Sequence, residues 1–205
     1  MKEVRDGVLT FQEDKLNSAT IAVIGASSTV GSIVVSMLAA RGFNVVGVCS
    51  AGNGEAVLRN GAVGVLDRNK GGLKLKGEMK LDIVIDAVGG QVAEDSGREA
   101  LEGSGHFITV VGPTEFGEGT DGGMKNIGNG MSITSRKMKS MFSSVKYSLA
   151  SMPLYVRDIL EKLVEEGVSV ILDSEVELLN EEAVKTAIDK VRLHKTRGRL
   201  VLVNN

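Results

Sequence analysis

The residues best suited to chemistry sit together in one short stretch, Val23-Ile24-Gly25-Ala26-Ser27-Ser28-Thr29-Val30-Gly31. An apolar run ends there at a glycine, three hydroxyl residues follow, and a helical pattern begins at once. Backbone N–H groups at a helix start point outward without partners, and the helix dipole favours negative charge beside them. Gly25 and Gly31 allow a tight turn and a close approach of a phosphate, while Ser27, Ser28 and Thr29, with Val30 behind them, line it. The motif falls short of a full G-x-G-x-x-G, and an ordinary strand-to-helix turn is the competing reading. Its setting, strand before and amphipathic helix after, is the one an anion-binding turn needs.

Two further stretches fit the rest of a dinucleotide. About 20 residues past such a turn, an NAD site places an acid against the adenosine ribose. This chain has Cys49, Ser50, Ala51, Gly52 and Asn53 there, with no acid before Glu55. A neutral, hydroxyl-bearing site does not repel a 2′-phosphate, so NADP(H) is expected in preference to NAD(H), with NAD(H) also compatible. Arg59 and Arg68 each read first as a solvated surface cation and second as a candidate phosphate partner. Further on, Asp82-Ile-Val-Ile-Asp86-Ala87-Val88-Gly89-Gly90 ends an apolar run at the edge where open α/β sheets hold ligands. Gly89 and Gly90 let the backbone pass close to the nicotinamide ribose, and Val110-Val111-Gly112-Pro113 should flank the ring. Asp86 reads as either a catalytic or a structural carboxylate. No residue is a persuasive general acid; Tyr147, Tyr155 and Lys137 qualify by chemistry alone, so the catalytic set is left unassigned.

The elements needed to hold these residues are legible. Ile21–Gly25, Asn44–Cys49, Val63–Leu66, Leu81–Ala87 and His106–Gly112 are short runs rich in Val and Ile, as parallel strands covered on both faces should be. Val30, Ile33, Val34, Met37 and Leu38 recur at helical spacing up to Gly42. Shorter helices are expected from Gly54 to Asn60 and over Gln91–Leu101. The alternation predicts an α/β fold, a doubly wound parallel Rossmann sheet flanked by helices with a C-terminal α+β tail. Residues 112–130 are glycine-rich and read as one long connection. Met131–Arg136 is expected to be a sixth strand. Ser151 and Pro153 open a helix bearing Val156, Ile159, Leu160, Leu163 and Val164 and stopped by Gly167. A strand pair over Ser169–Leu172 and Glu175–Leu178, a helix from Asn180 burying Val184, Ala187, Ile188 and Val191, and a strand Leu200–Val203 complete the chain. Residues 1–167 are therefore taken as the NAD(P)-binding domain and 168–205 as the tail.

Composition sets the outer limits. The 205 residues are 42% hydrophobic and 24% charged with a net charge of −2, a balance suited to a packed core and without a nucleic-acid footprint. Tryptophan is absent and aromatics are 3%, against a base-stacking surface. One cysteine and two distant histidines make neither an internal disulfide nor a metal site expected. No apolar run approaches the ~20 residues of a membrane span and no address is readable at the start, so a soluble, cytoplasmic protein is the default.

GASSTVG, VCS…GAVGVLD, DIVIDAVGG and the closing TRGRLVLV follow one another as in the quinone-reductase branch of the medium-chain dehydrogenases/reductases. Within that branch the chain most resembles the reticulon-4-interacting, NADPH-dependent oxidoreductases, over about residues 19–205. The resemblance implies that Gly25, Ser27, Ser28, Thr29, Val30 and Gly31 hold the pyrophosphate. Cys49, Ser50 and Arg68 would line the adenosine side, and Ala87, Val88, Gly89, Val110, Val111 and Gly112 the nicotinamide side. It further implies zinc-independent hydride transfer from NADPH to an enone, quinone or other small carbonyl substrate, with a mitochondrial address as the alternative. The family shows Gly-Gly where Ser28 and Thr29 stand, and often Tyr where Arg68 stands. The GroES-like domain that precedes the family's Rossmann domain has no counterpart here, and residues 168–205 resemble the segment that completes it.

Ser135–Leu149 spaces Met138, Met141, Phe142, Val145 and Leu149 as one helix face among Arg136, Lys137, Lys139 and Lys146. It reads first as a helix covering the sheet edge and second as a membrane-surface contact. An exposed sixth strand would pair with its symmetry mate, so a homodimer is expected. Three functions stand side by side: a reductase, a non-catalytic dinucleotide-binding sensor or interaction module, and a basic-helix membrane or protein adaptor that no longer needs cofactor.

Overall fold

The computed structural model describes residues 3–5, 8–10, 19–112, 134–136, 138, 140–150, 156–193 and 196–203. The strands are β1 (Glu3–Arg5), β2 (Val8–Thr10), β3 (Thr20–Ile24), β4 (Asn44–Cys49), β5 (Gly64–Asp67), β6 (Ile83–Asp86), β7 (Gly105–Thr109), β8 (Val145–Leu149), β9 (Leu172–Glu177) and β10 (Arg199–Val203). The helices are α1 (Thr29–Ala40), α2 (Gly54–Arg59), α3 (Gln91–Ala100), α4 (Val156–Glu165) and α5 (Glu181–Arg192). Eight strands form one sheet in the order β1-β2-β5-β4-β3-β6-β7-β8. From β5 to β8 all pairs are parallel, which makes a Rossmann sheet whose winding reverses between β3 and β6.

Burial follows the apolar runs. All six positions of β4 are buried, as a central strand covered on both faces requires. One core cluster centres on Val84, Phe107, Leu66 and Tyr147, the other on Ile21, Val23, Val35 and Val57. Helix α3 lies close to the sheet because Gly97 faces Phe107; a Cβ there would stand 2.5 Å from the ring. The β5-to-β6 crossover has two 3₁₀ turns, Arg68–Lys70 and Gly72–Lys76, in place of a long helix.

The structure corrects several expectations. The sixth parallel strand is Val145–Leu149, whereas Thr134, Ser135 and Arg136, expected as strand, are helical. The expected helix over 135–149 thus reaches only Met141 among the described residues. Val145 and Tyr147 alternate inward and Lys146 outward, a period of two that competes with the helical spacing. Arg136 is held in its helical turn by Glu94 on α3, at 2.5 Å. The expected strand pair near 169–178 is one strand, β9, whose partner is β10 in a separate parallel pair. Asp173, which falls between the two expected strands, accepts the Arg197 N–H and the Lys190 ammonium, which ties it into β9 between α5 and β10. On α5 only Ala187 is buried, with Ile188 and Val191 exposed, because the unit has no second layer among the described residues. Val164 on α4 is exposed as well. Residues 1–18, assigned no structure by pattern, contribute the antiparallel hairpin β1–β2 on the β5 edge. Most of the glycine-rich connection, the start of the helix at Ser151 and Pro153, and His194 lie outside the described residues.

Candidate cofactor site

The site grows from the point where the sheet's winding reverses, between β3 and β6, the place at the carboxyl edge where open α/β sheets hold ligands. Strand β3 turns at Gly25, whose φ of 77° suits a residue without a side chain. The N–H groups of Gly25 and Ala26 both donate to the Val48 carbonyl, at 3.0 and 3.1 Å, and bind the turn to β4. Ser28 caps α1, its Oγ accepting from the Gly31 N–H at 3.0 Å. A Cβ on Gly31 would lie 2.1 Å from the Gly25 oxygen, so only glycine lets the helix start this close to the strand. None of these turn bonds uses the N–H of Ser27 or Val30, and Val30 is 47% exposed. The turn is a cradle open on the side where a pyrophosphate would lie, and its residues fit that group.

On the adenosine side, Cys49 is buried at the end of β4. Burial, with the nearby Asp67, pushes its thiol up to about 11 against the opposing pull of Arg68, so it is no nucleophile at neutral pH. That pull places the Arg68 charge close to the end of β4, although the residue is exposed on the turn after β5. Ser50 is half-buried and leads into the 3₁₀ turn Ala51–Asn53. Glu55, the first acid after that turn, faces Arg59 at 3.5 Å, with both side chains largely exposed. Asn53 donates from Nδ2 to Ser27 Oγ at 3.1 Å and accepts at Oδ1 from Arg197 Nε at 2.8 Å. The adenosine rim is thereby linked to the phosphate turn on one side and to the C-terminal tail on the other.

The tail lies across α1. Gly198 makes an isolated parallel bridge with Ser28, and a Cβ on it would stand 1.9 Å from the Ile171 oxygen. Ser32 Oγ and Ser36 Oγ accept from the N–H groups of Ile171 and Ser169, at 3.3 and 2.9 Å. Asn53 was placed in the neutral adenosine-side stretch, whereas Arg197 was not picked out from the sequence as a site residue. The only local signal was an arginine beside a glycine, and 144 positions separate the two partners.

On the nicotinamide side, Asp86 and Thr109 stand at the ends of β6 and β7, each 1% exposed. Asp86 Oδ1 accepts from Val88 N–H at 2.9 Å and Gly89 N–H at 3.0 Å, and Oδ2 accepts the Thr109 hydroxyl at 2.9 Å. Thr109 Oγ1 in turn accepts from Val111 N–H at 3.3 Å and Gly112 N–H at 2.9 Å. Of the two readings of Asp86, the geometry carries the structural one: its oxygens face these two loops. Ala87 and Val88 after β6, and Val110 and Val111 after β7, are half-buried. Tyr147 lies lower in the sheet, stacked on Phe107 with centroids 6.0 Å apart. Burial, aided by Glu94, raises its phenol, and it does not reach the carboxyl edge as a proton donor would. Tyr155 and Lys137 lie outside the described residues.

No protein-family model matches the sequence. The mitochondrial NAD(P)H oxidoreductase RTN4IP1 of Bos taurus is 29% identical over 157 residues, covering 72% of this chain and 39% of that protein. The quinone oxidoreductase of Coxiella burnetii superposes with a TM-score of 0.66 at 22% identity, over 90% of this chain and 52% of its own. The Escherichia coli quinone oxidoreductase, solved with NADPH, gives 0.62 at 19%, over 91% and 57%. A putative alcohol dehydrogenase from Sinorhizobium meliloti 1021 gives 0.65 at 22%, over 91% and 48%. The chain spans about half the length of these solved relatives and less of the curated one. It has the Rossmann fold of their nucleotide-binding domains, and in sequence and fold it resembles the quinone-oxidoreductase branch of the medium-chain dehydrogenases/reductases.

Proposed function

We propose that the chain is the NAD(P)H-binding domain of a zinc-independent, quinone-reductase-like oxidoreductase. The observation that carries this reading is the reversal of the sheet's winding between β3 and β6 and the residues gathered at its carboxyl edge. They form a phosphate-fitting turn on one strand and two close-packed loops, 87–90 and 110–112, on the next two. The similarity to proteins named as NAD(P)H and quinone oxidoreductases supports it. In this reading residues 1–167 bind the dinucleotide and 168–205 form the tail. The protein would position NADPH for hydride transfer to an enone, quinone or other carbonyl, and orientation would supply most of the rate.

NADP(H) is the preferred cofactor in this reading. No carboxylate stands between Cys49 and Asn53, Arg197 donates to Asn53, and the Arg68 charge acts on Cys49. Self-pairing of β8 supplies the homodimer, helped by the exposed Met138, Met141 and Phe142 beside it.

A non-catalytic dinucleotide module is the second reading. It draws on one observation: the carboxylate nearest the nicotinamide loops is turned inward, and Tyr147 is buried away from the carboxyl edge. Calorimetric titration with NADPH and NADH, beside a turnover assay with a simple quinone, separates the two. Tight NADPH binding with turnover supports the reductase, and binding without turnover supports the module. Binding of neither nucleotide would overturn both.

A further inference from the structure

On the nicotinamide side, every backbone N–H from residues 87 to 90 and 110 to 112 is taken inside the protein. Ala87 donates to the Ile24 carbonyl, Gly90 to that of Gly112, and Val110 to that of Asp86. The remaining four are gathered by the Asp86 carboxyl and the Thr109 hydroxyl. A single buried pair, joined at 2.9 Å, therefore fixes two loops that leave different strands. Removing either member would leave the donors of its own loop without their acceptor and break the one link to the other loop, and such losses are costly.

We propose that Asp86 and Thr109 are the positioning residues for the nicotinamide half of the dinucleotide. By drawing the loop donors inward, the pair leaves the carboxyl edge there with carbonyl oxygens and the side chains of Val88, Val110 and Val111. Such a surface suits an uncharged group that donates hydrogen bonds, as a carboxamide and ribose hydroxyls do. It offers nothing to an anion, since no backbone N–H of these residues is spare. The opposite end, at Gly25–Val30, has N–H groups outside the turn bonds. The polarity of the two ends orients the dinucleotide: phosphates toward α1, nicotinamide toward β6 and β7. This proposal rests on the dinucleotide reading above.

The test compares wild type, Asp86→Asn, Thr109→Val and Thr109→Ser. Calorimetry would use NADPH and, for the adenosine half alone, 2′,5′-ADP. Asp86→Asn and Thr109→Val are expected to weaken NADPH about tenfold while leaving 2′,5′-ADP within about twofold. Thr109→Ser, which keeps the hydroxyl, should bind NADPH like wild type. Amide hydrogen exchange without nucleotide should speed up in both loops together in Asp86→Asn, at 88–89 and at 111–112. Equal losses for both ligands, or faster exchange confined to 88–89, would overturn the shared role. If wild type binds NADPH and no variant changes that affinity, this proposal fails alone. If wild type binds neither ligand, the dinucleotide reading fails and takes this one with it.

Discussion

Gly31 shows how little freedom the phosphate turn has, because its missing side chain is what lets α1 begin against Gly25. With a Cβ 2.1 Å from the Gly25 oxygen, Gly31→Ala must push helix and strand apart. Overpacking of this kind costs about 1–3 kcal/mol, and NADPH binding should be lost with it. Thermal unfolding and calorimetry on the same sample would check both effects. Cys49 is constrained by polarity. Its thiol is raised from 9.0 to about 11, so the unfolded chain ionises first as pH climbs. Stability contributed by the buried neutral thiol is whole below pH 9 and is lost as pH rises toward 11. The loss is roughly 2–3 kcal/mol at one pKa unit per 1.36 kcal/mol. Urea midpoints at both pH values should fall more in wild type than in Cys49→Ala.

Among the elements, β8 is the one on which the homodimer reading rests. The Ala150 N–H donates to Thr109, so alternate residues Lys146 and Ser148 point their N–H groups at β7 and Tyr147 and Leu149 point theirs at the free edge. Leu149→Pro removes an edge donor without touching the β7 ladder. If two copies pair there, sedimentation should show the dimer weakened with the fold retained; an unchanged dimer would place the interface elsewhere. The same segment marks a limit of legibility. Val145 and Leu149 are four apart, so they fit a helix face and a strand face equally well. Tyr147, with its apolar ring against Phe107, decides for the strand only once the sheet is present. Strands β3 to β7 were readable because each is a compact apolar run followed by a turn residue. The β1–β2 hairpin was not, since three-residue strands hold no period and depend on the β5 edge.

For the molecule as a whole, the tail and the cofactor turn form one connected unit. Ser28 bridges Gly198, and Arg197 holds Asn53, which holds Ser27. Sequence spacing picked out Gly25, Gly31 and the neutral stretch after β4, because the turn and strand end that hold them are set by local backbone geometry. Arg197 and the Asp86–Thr109 pair depend on contacts between distant segments and have no local pattern. If Arg197 faces the 2′-phosphate, Arg197→Ala should cost NADPH about tenfold in affinity and leave NADH unchanged. Parallel titrations would read this directly, and equal losses for both would assign Arg197 to holding the tail alone.

The hairpin at the other end of the sheet has a consequence best put in the language of polymers. A sheet with two open edges is a bifunctional monomer, able to grow into a chain of any length. Here the β5 edge is covered by β2, and the outermost strand, β1, is only three residues long. Among the described residues that leaves β8 as the longer open edge, and on the homodimer reading the protein is a monofunctional unit that couples once and then stops. Deleting the hairpin would restore the second function by opening β5, whose four positions are all buried. Step growth would then have no terminator, and light scattering would rise with concentration where the full chain stays at a fixed size.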